Sequence, residues 1–395
     1  MPRSRVGRIL LCLLLVASAG GSAGTGPQWG FFGHRRINQL AVYTLPPEMA
    51  PLFRAHVDYL TEHAVDPDKR RYASTYEAVR HYMDLDHWGR PPFPTLPRDY
   101  ARARLRHGEL LDVRAPGDTV AWSYDTLFAN TLLLRSAAQT TDVDPYAYRR
   151  LWYGHAEAPP VDSVRATGLP VGGEQVLLRD SLTAHGILPY HLQDHHRRLT
   201  RAFVAGDADR VLQLAAELGH YVGDAHVPLH TTENYNGQLT GQTGIHAFWE
   251  SRLPELFADA GYDYLVGPAD YIADPQDYYW NIVLESHALV DSVLHTEARL
   301  RAEYPVDRQR CFEDRLGKPA VLPCAEYAAA WSDAMNGMVE ERFRAAIHAV
   351  GSAWYSCWVD AGQPDLTELT PLVMPVTDTL SSAAAAAPES ARPHE

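Results

Sequence analysis

The chain has 395 residues, of which 46% are hydrophobic and 21% charged, so it can bury one large core or two smaller ones. Its formal net charge of −14 argues against extensive electrostatic binding to phosphate backbones or anionic membranes. Bound cations would weaken that exclusion, because they dominate the field around them. The 19 histidines are unusual at this length and modestly favour metal chemistry.

The N-terminus has the pattern of a secretion signal. Arginines precede an apolar run over 9–16, and small residues follow it. We expect cleavage after Ala19 or Ala23, and we assign 1–23 as the signal peptide, with an end that can fall between 19 and 28. The apolar run is too short for a permanent membrane span. The sequence therefore predicts a secreted or periplasmic protein.

Helical periodicity dominates the rest of the chain. Apolar residues recur at three- and four-residue spacing in 201–224, 279–303 and 325–350. Period-two runs of β-branched residues are scarce, and no Gly-rich turn separates paired strands. We therefore predict an all-α fold, with a single mostly helical domain over 29–365.

Three segments lack this periodicity. Stretches 89–98 and 155–174 are rich in Pro and Gly and are predicted to be loops. The tail over 381–395 is of low complexity and is predicted to be disordered.

The cysteines predict one disulfide. Cys12 leaves with the signal, and Cys311 and Cys324 bracket a short polar loop. In an oxidising compartment this pair favours a bond, which leaves Cys357 unpaired and buried. Because none of them is near the histidine-rich stretch, we do not expect thiolate ligands to a metal.

Candidate metal ligands are concentrated in 220–250. This stretch contains His220, Asp224, His230, His246 and Glu250. Residues i and i+4 share a helix face, so His220 with Asp224, and His246 with Glu250, can each hold one metal ion. Two such pairs, with His230 between them, exceed what one zinc requires.

Further ligands are expected from earlier segments, where Trp29, His34, Asp66 and His81 are the best candidates. The combined set has five histidines and three carboxylates. It suits three zinc ions with three or four protein ligands each, provided that one carboxylate bridges and water completes the coordination.

Each candidate also has a simpler interpretation. A lone histidine such as His34 is more often a packing residue, and His220 with Asp224 could be a surface ion pair. Asp66 could cap a helix or open a turn. If these simpler interpretations all held, however, the residues would have to match the spacings of one ordered series by chance. His226 is excluded because it faces another side of the helix. The histidines predicted to be structural, or to support the ligands, are His56, His63, His87, His185, His191, His195 and His196.

The ordered series resembles the zinc-dependent phospholipase C and single-strand-specific zinc nuclease superfamily. The resemblance covers nearly the whole ordered chain. It rests on Trp29 with His34, His81 in HYMDLD, the series from His220 to His230, and His246 four residues before an acid.

The resemblance implies a mostly helical exported protein with a trinuclear zinc site. Asp66 is implied to lie near the attacking water and to orient or deprotonate it. The implied ligands are Asp66, His81, His220 and Asp224 for one zinc, Asp224, His34 and main-chain atoms of Trp29 for a second, and His230, His246 and Glu250 for the third.

The chain departs from the family pattern at Trp29, and it combines features of the phospholipases with features of the nucleases. In relatives the Trp is the mature N-terminus, whereas here it follows GTGPQ, so its amine is a ligand only after further trimming. Glu250 is typical of the phospholipases, because the nucleases usually have Asp there. The interval from His230 to His246 is also phospholipase-like, but that from Trp29 to His34 is nuclease-like.

We favour a secreted zinc-dependent phosphodiesterase of the phospholipase C type, which hydrolyses phospholipids with a metal-activated water. The alternative is a single-strand-specific nuclease or nucleotidase. An alternative of another class is a non-catalytic zinc-binding secreted module, which the lack of cysteine ligands argues against. The partners expected are thus a phospholipid or a single-stranded nucleic acid or nucleotide as substrate. No permanent membrane span and no obligate protein partner are evident.

The aromatic residues distinguish only partly between a phospholipid and a nucleic acid as the substrate. A nuclease would present aromatic side chains for base stacking, and Tyr235, Phe248 and Trp249 are candidates, although helical aromatics are more often core. A phospholipase would instead present an apolar rim, for which Phe31 and Phe32 are candidates. A serine-hydrolase mechanism is disfavoured, because the chain has no G-x-S-x-G turn.

Overall fold

The structure of the protein is a computed structural model, which describes residues 30–71, 73–115, 117–122, 171–173, 175–315, 318–369 and 371. The predicted signal peptide over 1–23, Trp29, the tail over 381–395 and most of the loop over 155–174 lie outside these residues.

The described residues are mostly helical, as predicted. The helices in chain order are α1 (Gly30–Ala41), α2 (Ala50–Phe53), α3 (Val57–Glu62), α4 (Asp66–Arg71), α5 (Thr75–Ala78), α6 (Tyr100–Arg106), α7 (Leu188–Ala205), α8 (Ala208–Ala225), α9 (Leu253–Gly261), α10 (Pro275–Ala288), α11 (Val290–Glu303), α12 (Ala325–Ala334) and α13 (Met338–Asp360). None of these helices is long and apolar enough to cross a membrane.

The helical segments predicted from periodicity are helical but interrupted. The segment 201–224 holds the end of α7 and most of α8, which a turn at Gly206 separates. Gly206 has a φ of 66°, a left-handed conformation that glycine adopts without a steric penalty. Asp207 then caps α8, because its carboxylate accepts a hydrogen bond from the Arg210 amide at 3.0 Å. The loop predicted over 89–98 has neither helix nor strand.

Two small antiparallel sheets were missed by the sequence analysis. One has the strand order β2-β1-β3 and the other pairs β4 with β5. The fold is still mostly helical, and periodicity did not predict these short strands because they carry charged residues and lack long β-branched runs. Their bounds are β1 (Gly108–Ala115), β2 (Asp118–Trp122), β3 (Gln175–Asp180), β4 (Arg310–Arg315) and β5 (Lys318–Pro323).

The predicted disulfide is confirmed. Cys311 and Cys324 are bonded, with their Cα atoms 5.0 Å apart. The bond ties the β4–β5 hairpin to the start of α12, because Cys324 is the residue that precedes this helix. Cys357 is free and buried, as expected.

Helix α8 runs through the interior and positions the candidate ligands. Every residue over 211–225 is buried except Gln213, so His220 and Asp224 lie inside the protein rather than on its surface. On one side of α8, Trp354 of α13 donates from its indole nitrogen to the carbonyl of Ala215 at 2.9 Å. Buried imidazoles and carboxylates are unfavourable unless other groups satisfy them, so the local partners of these residues matter.

Two glycines let α1 approach α8 closely. A Cβ at Gly219 would lie 2.0 Å from the Asn38 Oδ1, and one at Gly223 would lie 2.8 Å from the His34 Nδ1. Asn38 stabilises the contact between the two helices, since its amide donates to the carbonyl of Ala216 at 3.0 Å. Any larger residue at position 223 would therefore displace the His34 ring from α8.

Candidate metal centre

Asp224 lies at the middle of the candidate ligands and faces several of them with different oxygens. Its Oδ1 is 3.4 Å from the His34 Nε2 and 3.5 Å from the His230 Nδ1. Its Oδ2 is 2.9 Å from the His81 Nδ1 and 3.3 Å from the His220 Nε2. The carboxylate is thus placed to be shared between two metal positions.

The first group of ligands consists of Asp68, His81 and His220, whose ligand atoms are close enough to hold a metal ion. The His220 Nε2 is 3.0 Å from the His81 Nδ1. The His220 Nδ1 donates to the carbonyl of Ala64 at 2.8 Å, which fixes the tautomer and leaves Nε2 as the ligand atom. The Asp68 Oδ1 is 3.7 Å from the His220 Nε2 and 3.8 Å from the His81 Nδ1.

The second group consists of His34, His220 and Asp224. The His34 ring, carried by α1, stacks on the His220 ring with a centroid separation of 3.8 Å. The His34 Nε2 also lies 3.8 Å from the Glu250 Oε1, so this group adjoins the third. Trp29, the other predicted ligand here, lies one residue before the described part of α1.

The third group consists of His230, His246 and Glu250, whose ligand atoms are close enough to hold a metal ion. The His230 Nδ1 donates to the carbonyl of His81 at 2.6 Å, which leaves Nε2 free for a metal. That Nε2 is 2.9 Å from the His246 Nε2 and 3.4 Å from the Glu250 Oε2. A π-helical turn over Ala247–Arg252 follows His246 and keeps the His246 Nε2 2.6 Å from the Glu250 Oε2.

Asp66, the predicted catalytic ligand, is not in any of these groups. Its carboxylate instead pairs with the His63 Nδ1 at 2.5 Å and the Lys69 Nζ at 3.1 Å. Successive residues on a helix are about 100° apart, so Asp68 faces roughly the opposite side of α4 from Asp66. The acid that α4 presents to His81 and His220 is therefore Asp68, which the sequence analysis missed.

The electrostatics keep the central carboxylates ionised. Burial opposes the charge on Asp224, but His220, His230 and His81 outweigh it and hold the pKa of Asp224 well below its usual value. Burial opposes the charge on Glu250 as well, but hydrogen bonds from His230 and His246 hold its pKa low. Burial alone would lower the pKa of His220, yet Asp224 and Asp68 raise it to about 9. The site thus attracts positive charge, which a metal ion would supply in place of protons.

Arg71 and two tyrosines line a small cavity beside His81, His230 and His246. Arg71 was not predicted, although it follows Asp68 by three residues and its Nη1 lies 3.7 Å from the Asp68 Oδ1. The tyrosines are Tyr82 and Tyr235, both largely buried. Phe248 and Trp249, the other candidates for base stacking, belong to a hydrophobic cluster with Tyr327 and Trp331.

Three further histidines lie close to these groups in sequence or form a group of their own. His226 stays outside the three groups, and burial lowers its pKa to about 3 while its Nδ1 donates to the Val222 carbonyl at 2.8 Å. His87 and His185, which the sequence analysis treated as structural or supporting, form a further, partly exposed group with Glu233. That group shares no residue with the three groups around Asp224.

Comparison of the chain with protein-family models and with curated proteins finds no match. The class of the protein therefore rests on its fold and site: a mostly helical protein whose His, Asp and Glu groups are close enough to hold metal ions.

Proposed function

We propose that the protein is a secreted zinc-dependent phosphodiesterase with up to three zinc ions, of the phospholipase C type. The observation that carries this proposal is the position of Asp224, whose two oxygens face different groups of histidines. A single structural zinc needs no bridging carboxylate, whereas a multinuclear hydrolytic site uses one to hold its metals close together.

The donor set fits zinc. Imidazole and carboxylate groups are suitable ligands for it, and the absence of thiolate favours a Lewis-acidic rather than a structural ion. The His230 and His246 Nε2 atoms, 2.9 Å apart, each present a ring nitrogen to the same point in a buried site. A cation between them would satisfy both lone pairs. Zinc, when bound, lowers the pKa of water towards ~7 and polarises phosphoryl oxygens.

Two residues of α4 have distinct roles in this proposal. Asp68 would hold a metal ion together with His81 and His220, and its carboxylate would accept a proton from the attacking water. Arg71, which lines the cavity next to His81, His230 and His246, binds a non-bridging phosphate oxygen with its guanidinium. Asp68 therefore takes the role that the sequence analysis gave to Asp66.

A phospholipid is the favoured substrate. Phe31 and Phe32 are half-buried at the start of α1, close in sequence to His34. Arg35 and Arg36 lie over these two rings, at 5.9 and 5.8 Å from the centroids. Both guanidinium groups are paired with carboxylates, Arg35 with Glu62 and Arg36 with Asp259, so the apolar rings are what this segment would offer to acyl chains.

One observation favours a single-strand nuclease as the second candidate. Tyr82 and Tyr235 line the same cavity as His81 and His246, where a nucleobase could stack against an aromatic ring. Both tyrosines are largely buried, so stacking would require them to turn outward.

The experiment that tests the function compares three substrates on the zinc-loaded protein. We expect hydrolysis of phosphatidylcholine to exceed that of single-stranded DNA and RNA at least ~10-fold in kcat/KM, and chelation to abolish it. Faster hydrolysis of the nucleic acids would replace the phospholipase proposal with the nuclease. Failure on all three substrates would support a non-catalytic zinc-binding module.

A further inference from the structure

The group formed by His87, His185 and Glu233 lies outside the candidate centre around Asp224. Its three ligand atoms are all within 4.8 Å of one another, and it shares no residue with the other three groups. Its side chains are partly exposed, by 38%, 26% and 43% respectively, whereas Asp224 is almost fully buried. The group is therefore separate from the proposed phosphodiesterase centre and open to solvent.

Backbone contacts bring the two histidines of this group together from distant parts of the sequence. His87 belongs to a short 3-10 helix over Leu85–Trp88, and His185 ends another over Thr183–His185. The backbone amide of Asp84, which precedes the first of these helices, donates to the carbonyl of His185 at 2.8 Å. The two imidazoles are therefore held next to one another by the main chain.

Asp86 fixes the backbone of Glu233 beside these histidines. Its carboxylate accepts hydrogen bonds from the Glu233 amide at 3.0 and 3.2 Å and from the Thr232 hydroxyl at 2.6 Å. Because these bonds engage the oxygens of Asp86, it is a positioning residue. The carboxylate that faces the imidazoles is that of Glu233. Partners of this kind, which orient a ligand from outside, are typical of metal sites in proteins.

Two imidazole nitrogens face the same carboxylate oxygen. The His87 Nδ1 is 3.2 Å and the His185 Nδ1 is 3.7 Å from the Glu233 Oε1. The two rings stack with their centroids 3.3 Å apart, and the Trp88 ring lies edge-on to both, at 4.7 and 5.5 Å. The ring planes are only 15° apart, so a shared ion requires them to open slightly, which partly exposed side chains can do.

We propose that His87, His185 and Glu233 form a further, mononuclear zinc site at the surface, in which water completes the coordination. Two imidazoles and one carboxylate, with a fourth position left to water, are an established ligand set for zinc, whereas calcium and magnesium prefer oxygen ligands throughout. Because these ligands are partly exposed, an ion bound here exchanges faster than one bound beside Asp224 and is the first that a weak chelator removes. The site does not depend on the proposed phosphodiesterase activity.

The test is a zinc titration of the full-length protein by equilibrium dialysis, with elemental analysis of the bound metal. At saturating zinc, the wild type should bind one ion per chain more than the double variant His87→Gln with His185→Gln, because the amide lacks the imidazole lone pair. The matched control is His295→Gln with His348→Gln, which changes one exposed and one partly buried histidine outside the four groups. This control should bind as many ions as the wild type.

A second variant keeps the test decisive if the histidine double variant fails to fold. Glu233→Gln retains both imidazoles and should weaken zinc binding at this site at least ~10-fold, since the loss of a ligand costs at least as much as the loss of an outer-shell partner. Unchanged binding in a variant whose circular dichroism matches that of the wild type would overturn the site.

A competition experiment tests the identity of the ion. Calcium or magnesium at the concentration of the zinc should not displace it, and displacement by either would overturn the role of the imidazoles. Because each variant is compared with the wild type, the difference counts only the ion at this site. A protein without zinc beside Asp224, or without phosphodiesterase activity, would still give a decisive result.

Discussion

Asp224→Asn should lower phosphodiesterase activity at least ~10³-fold while the protein remains folded. The carboxylate faces His34 with one oxygen and His81 with the other, so an amide cannot bridge the two metal positions. Metal ions contribute several kcal/mol to such reactions, and each 1.36 kcal/mol changes a rate tenfold. The measurement is kcat/KM on phosphatidylcholine, together with the zinc content of the same preparation.

The matched control for this variant is Asp307→Asn, which makes the same chemical change at an exposed position. It should retain the activity and zinc content of the wild type. Circular dichroism of Asp224→Asn should match that of the wild type, which separates loss of metal from loss of fold. A rate for Asp224→Asn within tenfold of the wild type would contradict the bridging role.

The second large effect is a contrast between two acids on α4. Asp68→Asn should lower activity at least ~10²-fold and remove about one zinc ion, because Asp68 faces His81 and His220. Asp66→Asn should change activity less than ~10-fold, because Asp66 is paired with His63 and Lys69. The same assay on both variants decides which of the two acids is the metal ligand.

These two variants serve as controls for one another, since they make the same substitution two residues apart. If Asp66→Asn were the more damaging change, the ligand would be the one predicted from the spacing in the sequence. The orientation of α4 relative to α8 would then differ in the metal-bound protein.

Most of the candidate centre could be predicted from sequence, because its pairs follow helical periodicity. His220 with Asp224, and His246 with Glu250, are four residues apart, and the structure brings each pair together. His230 joins them because the short turn after α8 returns the chain to the same place.

Other parts of the site depend on packing that one sequence does not reveal. Periodicity cannot decide between Asp66 and Asp68, because the choice depends on which side of a six-residue helix faces α8. The position of Arg71 beside the site depends on the same orientation of α4. The approach of His34 depends on Gly223, a residue whose importance appears only when α1 lies against it.

The prediction of the fold from sequence has the same limit. Amphipathic periodicity predicted the long helices, but the strands over 108–122 and 310–323 carry mixed charged and apolar residues without a regular alternation.

The most direct test of the central claim is the zinc stoichiometry of the purified, secreted protein, measured by elemental analysis after removal of loosely bound metal. Three groups of ligands surround Asp224, so we expect between two and three zinc ions per chain, the third depending on whether Trp29 is the mature N-terminus. Mass spectrometry of the same sample gives that N-terminus. Less than one zinc ion per chain would contradict the multinuclear centre and the function proposed for it.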